Sequence, residues 1–116
     1  MTNRILIIDD DQQVIETTET ILKEFGFITH SVCDGLAAFK TVKELKPSLI
    51  LVDGNLSSIS GLEILQQIRA DNETAAIPVI LVTGSEEIPN KELFNDFLIK
   101  PYDLDMLVEK IRNLLK

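Results

Sequence analysis

The run Ile5-Leu6-Ile7-Ile8-Asp9-Asp10-Asp11 decides the fold. Four large aliphatic residues in succession have no exposed face, which is the pattern of a strand in a parallel sheet covered on both sides, and four residues are too few for a helix. The acids that stop the run belong to a loop. Beyond them Val14, Ile21, Leu22 and Phe25 recur at helical spacing, so the stretch reads as a strand, a turn and an amphipathic helix.

The same figure repeats along the chain. Leu49 to Val52 and Val79 to Val82 are apolar runs that end in polar residues, and helical spacing returns at Leu62, Leu65 and Ile68 and again at Leu104, Leu107, Val108, Ile111 and Leu115. Two weaker runs, Ile28 to Val32 and Phe97 to Ile99, fall where a repeating strand–helix unit needs a strand. Gly26 is placed to close the first helix, Pro47 follows the second, and Ser60-Gly61-Leu62-Glu63 has the capping-box spacing that opens the third. Five such units with right-handed crossovers predict a doubly wound α/β fold, a five-stranded parallel sheet forming one domain over residues 1–116, and the order taken for its strands is 2-1-3-4-5.

Composition narrows the partners. The 116 residues include 11 Lys and Arg against 19 Asp and Glu, a net charge of −8. With no basic stripe, nucleic acid and anionic membrane are not expected as direct partners. No apolar run approaches membrane-spanning or signal-peptide length. Cys33 is the single cysteine, which fits a reducing cytoplasm rather than a disulfide scaffold.

In a doubly wound sheet the ligand crevice lies beyond the carboxyl ends of the strands. Asp9, Asp10 and Asp11 follow the first strand, Asp53 ends the third, Thr83 the fourth and Lys100 the fifth. Only the second, an edge strand in this order, ends without such a group. Each residue has an ordinary explanation. An acid before a helix is a common cap, which is the role assigned to Asp11; Asp53-Gly54-Asn55 reads equally as a turn, Thr83 as a polar strand end and Lys100 as a solvated charge. Their convergence from separate strands is what points to a site. Carboxylates held at about 4 Å repel by roughly 4 kcal/mol per pair at an intermediate dielectric, so ionising all of them calls for a cation. Oxygen donors without a His/Cys cluster suit Mg²⁺ or Mn²⁺ and not zinc. With Lys100 and the Thr83 hydroxyl alongside, the crevice is suited to a phosphoryl group.

From Arg4 to Leu115 these residues resemble the receiver domains of two-component response regulators. The likeness is carried by Ile8-Asp9-Asp10-Asp11, Leu51-Val52-Asp53, Gly61, Val82-Thr83-Gly84 and Ile99-Lys100-Pro101. The resemblance implies a flavodoxin-like fold, with Asp53 accepting a phosphoryl group from a phosphohistidine on a partner kinase or phosphotransfer protein. It implies Mg²⁺ held by Asp9, Asp10, Asp53 and the backbone carbonyl of Asn55, and Lys100 and Thr83 contacting the phosphoryl. Thr83 and Phe97 would be the switch pair that reshapes a surface for a downstream protein. A cis Lys100-Pro101 peptide is also implied. The chain would act as a switch and not as an enzyme on a separate substrate. No sequence follows the last helix to serve as an effector, so it is expected to act through a protein partner or to be a piece of something larger.

Several positions depart from the family pattern. Leu56 and Ser57 stand where Met-Pro is usual, and Asn95-Asp96 lies near the usual Gly-Ala. Only 16 residues separate Thr83 from Lys100, and Pro89 restricts where a helix can begin. The helix between the fourth and fifth strands is therefore expected to be short or irregular, which puts the family's usual dimer through that face in doubt. A small Ser85 should leave the path of hydrolytic water open. His30, on the edge strand, and Cys33 read as surface or packing residues. Two other functions fit less well. A receiver-like adaptor would dock without phosphorylation. A haloacid-dehalogenase-like phosphatase would use Asp9 as nucleophile within Asp9-Asp10-Asp11, but Gln13 stands where such enzymes carry threonine.

Overall fold

The computed structural model describes residues 3–56, 58–84 and 90–116. In chain order the elements are β1 (Arg4–Ile8), α1 (Gln12–Glu24), β2 (Ile28–Val32), α2 (Gly35–Leu45), β3 (Leu49–Asp53), α3 (Gly61–Ala70), β4 (Val79–Thr83), a 3₁₀ turn (Lys91–Leu93), β5 (Asp96–Ile99) and α4 (Leu104–Leu114). All four strand pairings are parallel, as the alternation of runs predicts, and the order is β2-β1-β3-β4-β5, the one expected.

Two cores flank the sheet, and the period-two alternation of strand side chains sorts residues between them. Ile5, Ile7, Leu49, Leu51, Ile80, Val82 and Leu98 meet Ile15 and Leu22 of α1 and Leu107, Val108 and Ile111 of α4. Their neighbours Leu6, Ile8, Ile50, Val52, Val79 and Leu81 meet α2 and α3 through Ala38, Val42, Ile64, Leu65 and Ile68. Consecutive aliphatic residues are thus required in β1, β3 and β4, each of which supplies both layers, whereas edge strand β2 supplies no fully buried residue.

The helix ends follow their local chemistry. The Asp11 carboxylate accepts from the N–H groups of Gln13 and Val14, Asp34 from Leu36, Ser60 from Glu63 and Asp103 from Asp105. Gly26 sits at φ 90° just past α1, a conformation that costs glycine little and other residues more.

Between β4 and β5 the described residues form a single 3₁₀ turn, so the connecting helix is indeed reduced. Pro89, expected to restrict it, lies outside the described residues. Two residues beyond sequence reasoning organise this region. Phe94, 8% exposed, fills the core on the α3 side. Arg69, at the end of α3, donates to the carbonyls of Leu93, Ala75 and Ile77 and to Asn95 Oδ1 at 2.7–3.0 Å. The same Asn95 oxygen accepts from Val79 N at 2.8 Å. One guanidinium therefore satisfies carbonyls on both connections, work that a regular helix does with its own backbone.

Candidate functional site

Asp9 and Asp53 stand at the ends of the adjacent inner strands β1 and β3, and both are 5% exposed. Their carboxylates are held by short turns: Asp11 N donates to Asp9 Oδ1 and Asn55 N to Asp53 Oδ1, both at 2.9 Å. Asp10 is exposed at the rim. One carboxylate oxygen from each of Asp9, Asp10 and Asp53 lies within 4.8 Å of the others.

Lys100 closes the group from the far edge. Its Nζ donates to Asp53 Oδ2 at 2.9 Å, and its backbone N–H donates to the Thr83 carbonyl at 2.7 Å, anchoring the end of β5 on β4. The Lys100-Pro101 peptide is cis. Asp53 is thus contacted on both oxygens, and each keeps a lone pair for a further partner.

The electrostatics follow the crowding. Burial first, and then the negative charges of Asp53 and Asp10, push the Asp9 carboxyl above the usual carboxylate range, against the opposing pull of the Asp11 N–H and of Lys100. Burial alone would lower the Lys100 ammonium, but its hydrogen bond to Asp53 and the charges of Asp53 and Asp9 outweigh that and raise it. A buried acid with raised proton affinity beside two other carboxylates is short of positive charge. The donor set is all oxygen and fits a hard divalent cation.

Thr83 and Phe97 lie on the other face. Thr83 continues the row of Val79 and Leu81, and Phe97, paired with Leu81 in register, packs half-buried on the α3-side core. Its ring meets Phe94 edge-on, with centroids 6.4 Å apart. The structure therefore brings Asp9, Asp10, Asp53 and Lys100 into one crevice and sets Thr83 at its border, with Phe97 one strand away. Asn55 contributes its N–H to Asp53. Asp11 is a helix cap, as expected. His30 is exposed on edge strand β2 and Cys33 is exposed just beyond it, both apart from the crevice. Ser57 and Ser85 lie outside the described residues. Among the described residues no helix is long and apolar enough to cross a membrane.

An acidic crevice at the switch point of a 2-1-3-4-5 sheet, with a lysine reaching across to the central aspartate, defines a class. Residues 5–112 match the response regulator receiver domain, and the chain belongs to that family. It is 32% identical over 118 residues to the "DNA-binding dual master transcriptional regulator RpaA" of Synechocystis sp., covering 97% of this chain and 49% of that protein. It is 31% identical over 121 residues to the "DNA-binding response regulator MtrA" of Mycobacterium tuberculosis, covering all of this chain and 52% of the relative. The chain spans about half the length of the curated relatives it matches. Among solved structures, the CheY-like receiver domain from Methylobacillus flagellatus superposes with a TM-score of 0.89 at 26% identity, over 98% of this chain and 99% of that one. The receiver domain of sensor histidine kinase PA1611 from Pseudomonas aeruginosa, with a magnesium ion coordinated in its active-site cleft, shares the fold. Its TM-score is 0.89 at 23% identity, over 99% of this chain and 98% of that one.

Proposed function

We propose that the domain accepts a phosphoryl group on Asp53 from the phosphohistidine of a kinase or phosphotransfer protein and thereby switches a protein-docking surface. The observation that carries this is the Lys100 Nζ–Asp53 Oδ2 contact of 2.9 Å beside the Asp9 and Asp10 carboxylates. An Asp53 oxygen attacks phosphorus while the bond from phosphorus to the histidine nitrogen breaks, its electron pair leaving with the imidazole. Lys100 exchanges part of its bond to Asp53 for the incoming phosphoryl oxygens, and the Thr83 hydroxyl donates to another. Asp9, Asp10, Asp53 and the Asn55 carbonyl are the residues that would hold Mg²⁺. When bound, the ion neutralises charge on the transferring group. The magnesium in the cleft of the PA1611 receiver supports this assignment.

Lys100 pairs with Asp53 and not with Asp9, which favours Asp53 as nucleophile over the phosphatase arrangement. The docking surface is placed on β5 and α4, where Phe97 adjoins the site through β4. The whole chain is taken as one receiver unit that turns over no separate substrate and works in the cytoplasm.

Beryllofluoride with Mg²⁺ tests the proposal, because a phosphoacceptor binds both at Asp53 and gains thermal stability on doing so. Asp53→Ala should abolish that gain and all labelling by acetyl phosphate. An adaptor that docks without phosphorylation would show neither effect in the native protein. A phosphatase would lose turnover on Asp9→Asn and keep it on Asp53→Ala.

A further inference from the structure

α3 begins directly against the main chain of the acceptor. Gly61, its first residue, is buried, and its N–H donates to the Gly54 carbonyl at 3.2 Å. A Cβ placed at position 61 would stand 2.5 Å from the Asp53 carbonyl oxygen, 2.8 Å from the Gly54 Cα and 3.1 Å from the Asp53 carbonyl carbon. All three are backbone atoms of the acceptor or its neighbour and cannot rotate away as a side chain does. Gly61 has no positive φ, so the glycine is needed for room and not for backbone freedom.

Gly35 opens α2 beneath the same loop, but an added Cβ there would press on side chains, Ile59 Cγ2 at 2.6 Å, Ser58 Oγ at 3.2 Å and Leu56 Cδ1 at 3.3 Å. Bulk at 35 pushes on the loop's side chains, whereas bulk at 61 pushes on Asp53 itself.

We infer that Gly61 is a positioning residue for the phosphoacceptor: its bare Cα lets α3 seat on the Asp53–Gly54 backbone and so sets where the Asp53 carboxylate stands relative to Lys100 and Asp9. This rests on the acceptor role of Asp53 proposed above. Relieving a 2.5 Å approach to ordinary contact at 3.4 Å takes a shift of about 0.9 Å. Neither side yields freely, since Ile64, Leu65 and Ile68 of α3 are fully buried and β3 is paired on both edges. The displacement reaches the carboxylate, whose two 2.9 Å contacts depend on its place, and misplacement by about 1 Å costs phosphoryl transfer on the order of 10²-fold.

The test compares Gly61→Ala, Gly35→Ala and native protein in three measurements: labelling rate by acetyl phosphate, Mg²⁺ affinity by calorimetry, and the Asn55 amide resonance without metal. Gly61→Ala should label at least about tenfold more slowly, bind Mg²⁺ several-fold more weakly and shift the Asn55 amide. Gly35→Ala should lose stability yet label within about threefold of native. A Gly61→Ala protein with native rate and an unmoved Asn55 amide overturns the inference, as does an equal loss of rate in Gly35→Ala. If Gly61→Ala does not fold, Ser60→Ala decides. Removing the cap on Glu63 N loosens the first turn of α3 without adding bulk, and the labelling rate should drop several-fold; an unchanged rate overturns the inference. Native protein that takes no phosphoryl overturns the acceptor role itself, a result distinct from native labelling beside an equally fast Gly61→Ala.

Discussion

Asp9→Asn should stabilise the metal-free protein. The carboxylate oxygens of Asp9, Asp10 and Asp53 gather within 4.8 Å, and at that separation an effective dielectric near 20 gives about 3.5 kcal/mol of repulsion per pair. The full amount is not recovered. Asp53 is already paired with Lys100, Asp10 is exposed and screened by water, and the asparagine forfeits Asp9's attraction to Lys100. Its amide oxygen can still accept from Asp11 N, so the turn is kept. The net gain is about 1–2 kcal/mol, which for a chain of this length raises the midpoint by about 4–8 °C.

Thermal unfolding followed by circular dichroism, with chelator at neutral pH, measures the gain. Two further signs are built in. Because the Asp9 pKa is raised from 3.8 in the fold, the folded state holds more protons than the unfolded between 3.8 and that raised value, so this group's contribution to stability falls as pH rises through the window. The advantage of Asp9→Asn should therefore open across that window and shrink toward 3.8. Saturating Mg²⁺ should narrow the gap, since native protein gains more from a ligand that the variant holds less well. A variant equal to or less stable than native protein in chelator, or a gap indifferent to pH, would show that Asp9 is not destabilised by its neighbours.

Three other outcomes are expected. Lys100→Met should slow labelling by acetyl phosphate on the order of 10²-fold, the usual loss for one preorganised charge donor. With the Lys100 pKa raised in the fold, its stabilising pairing with Asp53 is fully present below 10.5 and fades as pH rises through the higher folded value; a pH titration of native protein against Lys100→Met reads this. Arg69→Ala should cost about 3 kcal/mol or more in urea unfolding, because it strips partners from three carbonyls and Asn95, and Arg69→Lys should recover only part, having no planar fork. Phosphorylation should not produce a dimer through β5 and α4, where Lys110 already pairs with Asp96 at 2.9 Å within the chain; sedimentation of labelled protein showing that dimer would contradict this.

The strands and the acidic group were legible because each rests on local chemistry. An Ile-Leu-Ile-Ile run has no polar face to give to water, so it must lie between two layers, and the carboxylates of Asp9 and Asp53 follow such runs at once. The reduction of the helix before β5 was likewise readable from chain length, since 16 residues cannot hold a loop, a full helix and a strand. What fills its place was not. Arg69 looks like any charged residue near a helix end, and nothing in its neighbours reveals that its four acceptors come from two connections, the farthest 26 residues away.

From the sequence came the alternation of strands and helices, the caps at Asp11 and Ser60 and the residue types at the strand ends, because periodicity and turn chemistry act over a few residues. Only the tertiary structure decided that Asp9 is buried against two other acids, that Lys100 selects Asp53, and that Gly61 leaves room for α3 on the acceptor's backbone. Those are distances between segments remote in the chain. Burial, Coulomb energy and steric exclusion depend on such distances and on no local pattern.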